Sequence, residues 1–219
     1  LDRMRREGHV ADPKHLDVPS RGPSALHTAL QLCEGCKCGK ATKRHGNFPI
    51  TDVPGPGTAI EKGEFYHIDS GEAAGLSMGG SKHWLNFTCD KSKRIVTFLL
   101  GERKEYSKVL PFFIVWSQRQ TGNKVKRLRP DNAKEFCENA DVQLLCKQLG
   151  IDNITTDAYA HEKAAIAERA NRTQQEGARS MLAVSGLSGL FWGFAHVYKT
   201  ALMNMTWREE LDHSPHEEF

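Results

Sequence analysis

Three carboxylates, at Asp69, Asp131 and Glu168, are the residues of this chain whose type and spacing could do chemistry. Asp69 follows an apolar run in EFYHIDSG, and Asp131 follows a second run in VKRLRPDNAKEF. Glu168 lies within a helical pattern, AIAERANRT. The 36 residues between Asp131 and Glu168 leave room for one helix, one short strand and a loop.

Carboxylates in such a set are suited to phosphoryl transfer. A phosphodiester is attacked in line, and two divalent ions about 3.5–4 Å apart stabilise the entering and leaving oxygens. Clustered carboxylates hold such ions, and hard oxygen ligands favour Mg²⁺ or Mn²⁺. Each residue taken alone also has an ordinary structural interpretation: Asp69 as a loop cap, Asp131 as a turn residue and Glu168 as a surface residue. The two-metal hypothesis therefore requires a fold that brings them together.

The apolar periodicity predicts five strands and four helices. The strands are expected over Phe65–Ile68, Trp84–Cys89, Arg94–Leu100, Val125–Leu128 and Ile151–Thr155. The helices are expected over Glu102–Arg119, where Pro111 marks a kink or a break, Asn139–Leu149, about 162–184 and 190–205. Gly150 is a plausible residue to end the second helix.

This order predicts an α/β fold. The first three strands can form an antiparallel meander, and the later strands arrive by crossovers. The result would be a mixed five-stranded sheet with helices on both faces. Asp69 would then end the first strand, Asp131 would follow the fourth, and Glu168 would lie in the first turns of the late helix.

Composition narrows the classes of protein. The chain of 219 residues is 39% hydrophobic and 26% charged, with a net charge of +3 and a mean hydropathy of −0.53. No run approaches the roughly 20 apolar residues of a membrane span, so we expect no membrane partner. The chain starts at Leu1 without a secretory signal, and we expect it to be an excerpt of a longer polypeptide.

The basic residues are clustered, which suits a polyanion but is also common on protein surfaces. One cluster holds Lys37, Lys40, Lys43 and Arg44, and the other holds Arg119, Lys124, Lys126, Arg127 and Arg129. Charge alone leaves nucleic acid and an ordinary solvated surface equally open.

Three of the six cysteines lie in CEGCKC. Cys33 and Cys36 have the spacing of a zinc knuckle, and His9 lies 23 residues before Cys33. A structural zinc site needs four ligands, and His15, His27 and Cys38 lack the usual spacing for the fourth. Zinc binding and a knuckle with free thiols both remain open.

The boxes HIDSG, RPDNAKEF and IAERANRT resemble those of Ty1/copia-type retrotransposon integrases, within the wider retroviral integrase and transposase group. The similarity extends through EGARSML and LFWGFAHVYKTALMNM to SPHEEF, so it covers nearly the whole chain. The third box is the most specific of these.

The resemblance implies a ribonuclease H-like core in which Asp69, Asp131 and Glu168 form the catalytic triad and hold two Mg²⁺ or Mn²⁺ ions. It implies 3′-end processing and strand transfer of DNA, with element ends and target DNA as partners. A homo-oligomer that acts in the nucleus after a cytoplasmic particle stage would be expected. Asn132 and Asn171 would be supporting polar residues.

DNA contacts are expected from basic residues beside this site: Lys124, Lys126, Arg129, Arg169 and Arg172. For Arg169 and Arg172, salt bridging is the alternative. The resemblance also implies three parts of the chain. They are an N-terminal His/Cys module over 1–47, with His9, Cys33 and Cys36 as zinc ligands, a linker over 48–63, and a catalytic core over 64–219.

Some residues depart from the family's pattern. The loop before the glutamate, usually Thr-Pro-Gln-Gln-Asn-Gly, is AHEKAA at 160–165. This segment has good helix propensity, so we expect it to extend the helix of Glu168 towards its N-terminus. The departures support an alternative function, a catalytically decayed nucleic-acid-binding remnant. A ribonuclease H-like nuclease unrelated to integration is a third hypothesis.

Overall fold

A computed structural model describes residues 61–130, 136, 139–153 and 161–219, with the backbone alone for 161–168. The module over 1–47, the zinc ligands His9, Cys33 and Cys36, and most of the linker over 48–63 lie outside the described residues. So do Asp131 and Asn132. Predictions about them stay predictions.

The described strands form one mixed sheet in the order β3-β2-β1-β4-β5. They are β1 (Phe65–Glu72), β2 (His83–Cys89), β3 (Ile95–Leu100), β4 (Arg127–Pro130) and β5 (Asp152–Asn153). β2 pairs antiparallel with both β1 and β3, whereas β4 pairs parallel with β1 and β5. The predicted meander with later crossovers is confirmed.

Five α-helices accompany the sheet in the described part of the chain. They are α1 (Tyr106–Thr121), α2 (Ala140–Leu149), α3 (His161–Ser185), α4 (Trp192–Met205) and α5 (Pro215–Glu218). Helix α2 begins where the side chain of Asn139 accepts bonds from two backbone N–H groups, and it ends at Gly150, whose φ is 65°. None of the described helices has the length and apolar character of a membrane span.

One face of the sheet packs on α1 through aromatic rings. Phe113 is fully buried and stacks on Phe87 with ring centroids 3.7 Å apart. Tyr66 meets Phe113 edge to face at 4.8 Å, and its hydroxyl lies 2.6 Å from Ser117 Oγ. The helix continues through Pro111, so the predicted break there does not occur.

The other face packs on α3 and α4. The indole of Trp84 lies across Gly71, its partner in β1, where a Cβ would be 2.0 Å from the ring. His196 of α4 contacts both Trp84 and Trp192, with ring centroids 4.9 and 6.3 Å away. Burial lowers the pKa of His196 to about 4, so the imidazole is neutral near pH 7.

β2, β3 and β5 each begin one residue away from their predicted starts, and β1 and β4 differ from their predicted bounds by more. β1 runs four residues past Ile68 because its hairpin pairing with β2 continues to Glu72 and His83. β4 lies two residues later than the predicted Val125–Leu128, because Phe65 pairs with Arg127 at the start of β1. Asp69 therefore lies inside a strand rather than at its end.

Candidate active site

Two of the predicted carboxylates, Asp69 and Asp131, follow paired residues of the neighbouring parallel strands β1 and β4. Their pairing runs from Phe65 with Arg127 to Ile68 with Pro130. The next residue after Ile68 is Asp69, and the next after Pro130 is Asp131. The described register thus ends one residue before each aspartate, although Asp131 itself lies outside the described residues.

Asp69 faces the helices α3 and α4. Its partner across β1 and β2 is Asn86, and directly paired residues of antiparallel strands share a face of the sheet. Asn86 in turn contacts α3 through its side chain. The carboxylate of Asp69 is half-buried, and its Oδ1 accepts a hydrogen bond from the backbone N–H of Ser70 at 2.7 Å.

Helix α3 carries Glu168 as its eighth residue. The helix begins at His161, so the expected helical extension through 161–165 is confirmed. Asn171, three residues after Glu168, is 7% exposed and accepts a hydrogen bond from Asn86 Nδ2. The side chain of Glu168 is outside what the structure describes, and its role as a ligand remains a prediction.

Of the predicted metal ligands, Asp69 is the one whose side chain the structure describes. Within the described side chains, no group of three histidines, cysteines, aspartates or glutamates could hold a metal ion. A metal centre at this end of the sheet therefore depends on Asp131 and Glu168 joining Asp69.

The five predicted DNA contacts have different surroundings. Lys124 is exposed, and Lys126 forms an ion pair with Glu64. Arg172 is largely exposed and pairs with Glu176 at 3.4 Å, which is the salt bridge left open above. The DNA contacts of these residues stay predictions.

Arg169 lines a cleft of about 650 Å³ between α3, α4 and the segment that follows α4. Three further cations line the same cleft, namely Lys93, Lys199 and Arg208, together with the carboxylates Glu209 and Glu210. The mixed charges make it a polar cleft rather than a purely basic one.

Arg129 is buried, with 7% of its surface exposed. Its guanidinium lies over the ring of Phe65, with Cζ 5.0 Å from the centroid. Burial lowers the pKa of this guanidinium, and the charge of Asp90 opposes the shift. The guanidinium of Arg129 is stacked on Phe65, and its direct contact with a DNA phosphate stays a prediction.

A polar network behind the site was not predicted from the sequence. Asn86, on the internal strand β2, and Thr97, on the edge strand β3, hydrogen-bond to each other and to α3. Asn86 and Thr88 are polar residues at alternate positions of a strand whose seven residues are all buried. That alternation was the available signal, because buried polar side chains in a central strand need partners.

Comparison with known proteins identifies relatives of this chain. It is 35% identical over 200 residues to the "Retrovirus-related Pol polyprotein from transposon TNT 1-94" of Nicotiana tabacum, a match that covers 87% of this chain. It is 26% identical over 178 residues to the "Transposon Ty1-PR2 Gag-Pol polyprotein" of Saccharomyces cerevisiae, covering 78%. The matches span 14% and 10% of those polyproteins. No protein-family model matches the chain.

The fold has a solved counterpart in the catalytic core domain of BIV integrase. The TM-score is 0.52 at 17% sequence identity, and the match covers 71% of this chain and 92% of that domain. The predicted ribonuclease H-like fold is confirmed by this match. The resemblance stated from the sequence is also confirmed, because the relatives are retrotransposon Pol polyproteins.

Proposed function

We propose that this chain, a homologue of Ty1/copia-type retrotransposon Pol polyproteins with the fold of an integrase catalytic core, is the integrase region of such a polyprotein. The observation that carries the proposal is the meeting of β1, β4 and α3. The described pairing of β1 with β4 runs to Ile68 and Pro130, the residues that precede Asp69 and Asp131, and α3 is hydrogen-bonded to the strand position opposite Asp69. In its proposed setting the protein acts in the nucleus after a cytoplasmic particle stage.

The proposed reactions are hydrolysis at the 3′ ends of the element's DNA and joining of those ends to target DNA. Asp69, Asp131 and Glu168 would hold divalent ions, and the fit rests on the chemistry of the donors. All three are hard oxygen ligands, which Mg²⁺ and Mn²⁺ prefer. When bound, such ions lower the pKa of an attacking water or hydroxyl and neutralise charge on phosphate oxygens.

The contribution of the chain itself is preorganisation. Asp69 is paired with Asn86 of β2, and the residue before it, Ile68, is paired with Pro130 of β4, so both neighbouring strands restrict the backbone that leads to Asp69. The bond from the Ser70 N–H to Oδ1 restricts the rotation of the Asp69 carboxylate. The exposed cations Lys124, Arg169 and Arg172 would attract DNA phosphates.

Self-association is part of the proposal. Helix α4 exposes a row of large apolar side chains, with Phe194 62%, Val197 44% and Tyr198 60% accessible. Exposed apolar patches on soluble domains commonly mark protein contacts, and most soluble oligomers are built from identical chains. We therefore expect a homo-oligomer.

A strand-transfer assay tests the proposal. The purified chain is mixed with a labelled DNA duplex that carries the terminal sequence of the encoding element, plus target DNA. We expect labelled products longer than the duplex in Mg²⁺ or Mn²⁺ and none after chelation with EDTA, because the carboxylates act through the ions.

The rival functions give different results in the same assay. A non-catalytic remnant would bind the duplex with a steep salt dependence and yield no product with either metal. That rival is favoured by one observation, the helical backbone that replaces the family's loop over 161–165. Cleavage without joined products would instead indicate a ribonuclease H-like nuclease, and either result would contradict the integrase proposal.

A further inference from the structure

A closed network of buried polar side chains joins the sheet to α3 and α4 beside Asp69. Asn86 Nδ2 donates to Asn171 Oδ1 and, at 2.6 Å, to Gln174 Oε1. Thr97 Oγ1 donates to Asn86 Oδ1 at 2.6 Å, and Gln174 Nε2 donates to Thr97 Oγ1 at 3.0 Å. Gln174 Nε2 also donates to Thr200 Oγ1. The amide of Asn86 thus has a partner for each of its two N–H groups and for its oxygen.

The two amides at the centre of the network are inside the protein, and Thr97 is partly buried. Asn86 is 2% exposed and Gln174 is not exposed at all. Packing alone would be satisfied by apolar side chains, and burying amides costs free energy unless every polar group is paired. Hydrogen bonds are directional, so this set fixes the rotation and the height of α3 on the sheet, which apolar contacts leave looser.

A strand pairing and a helical spacing place this network between the predicted ligands Asp69 and Glu168. Asn86 is the direct partner of Asp69 across β1 and β2. Asn171 lies three residues after Glu168 in α3, which corresponds to about 4.5 Å along a helix axis. One amide side chain therefore connects the strand position beside Asp69 to the helical turn beside Glu168.

We propose that Asn86 is a positioning residue that sets the distance between Asp69 and Glu168 through its bonds to Asn171 and Gln174. This inference rests on the proposed function, because it gives Asn86 its role at the metal-binding carboxylates. Asn86 touches neither metal nor DNA in this role. It determines how closely the carboxylate of α3 approaches the carboxylate of β1, and thereby the affinity for the ions.

Binding of Mn²⁺ provides a test that is independent of activity. Free Mn²⁺ is titrated against the protein by electron paramagnetic resonance. We expect Asn86→Ala to weaken Mn²⁺ binding by about 10- to 100-fold, the range found when a residue that orients a metal ligand is removed. The matched control is Thr88→Val, a buried residue on the same face of β2 two residues away, and its affinity should equal that of the wild type.

A second control separates positioning from general loss of stability. Val142→Ala removes a buried side chain of α2 from the core on the other face of the sheet. It should lower the melting temperature and leave Mn²⁺ affinity unchanged. If Asn86→Ala does not fold, Thr97→Val removes the hydroxyl that donates to Asn86 at similar volume, and it should weaken binding by a smaller factor.

The outcomes distinguish the two proposals. If Asn86→Ala binds Mn²⁺ as tightly as the wild type, the positioning role is overturned and the metal site stands. If Asn86→Ala does not fold, wild-type Mn²⁺ affinity in Thr97→Val has the same meaning. Equal weakening in Val142→Ala overturns it too, because the effect then follows stability. Absence of Mn²⁺ binding in the wild type contradicts the proposed function and, with it, the role of Asn86.

Discussion

Glu168→Gln is expected to reduce Mg²⁺-dependent strand transfer by about 100-fold or more while DNA binding persists. The amide keeps the size of the side chain but removes the negative charge that helps to hold a divalent ion. Groups that stabilise charge in a transition state commonly contribute this much to the rate. The measurement is the rate of product formation at saturating Mg²⁺, with binding followed separately by fluorescence anisotropy of a labelled duplex.

Glu176→Gln is the matched control for this substitution. Glu176 lies eight residues further along α3 and pairs with Arg172 at 3.4 Å. Loss of this partly exposed ion pair should change the rate by about twofold at most. Equal activity in the wild type and Glu168→Gln would remove Glu168 from the triad.

Phe113→Ala is expected to lower the free energy of unfolding by about 3–5 kcal/mol, the usual cost of replacing a buried phenylalanine with alanine. Phe113 is fully buried and stacks on Phe87 at 3.7 Å, so its removal leaves a cavity between α1 and the sheet. Tyr66 at 4.8 Å and Phe98 at 6.5 Å would lose their edge contacts as well. Urea unfolding followed by circular dichroism gives the change.

Phe112→Ala provides the comparison within the same helix. Phe112 is the preceding residue of α1 and is 75% exposed, so its truncation should change stability by about 0.5 kcal/mol or less. A similar loss in both variants would mean that α1 does not pack on the sheet through the face described here.

The existence of the strands and helices was predictable because their periodicity is local. The bounds were less predictable, since they depend on partners distant in the chain. β1 extends to Glu72 because Glu72 pairs with His83 of β2. β4 begins at Arg127 because Arg127 pairs with Phe65 of β1. The continuation of α1 through Pro111 likewise reflects packing of the flanking turns, which outweighs one missing backbone hydrogen bond.

The candidate site was predictable only in part. The strand order predicted that β1, which carries Asp69, lies next to β4, which leads to Asp131. The structure has this pairing. The burial of Arg129 over Phe65 was not predicted, because a lysine- and arginine-rich stretch does not show which residues face inwards. The role of Asn86 also needed the structure, since its partners Asn171 and Gln174 lie 85 and 88 residues away.

The central claim is that Asp69, Asp131 and Glu168 together hold divalent ions. The most direct measurement is a crystal structure of the protein grown with Mn²⁺, in which anomalous scattering locates the metal. We expect two manganese peaks about 3.5–4 Å apart, in contact with these three carboxylates. Ordered carboxylates without manganese between them, or Glu168 directed away from Asp69 into solvent, would contradict it.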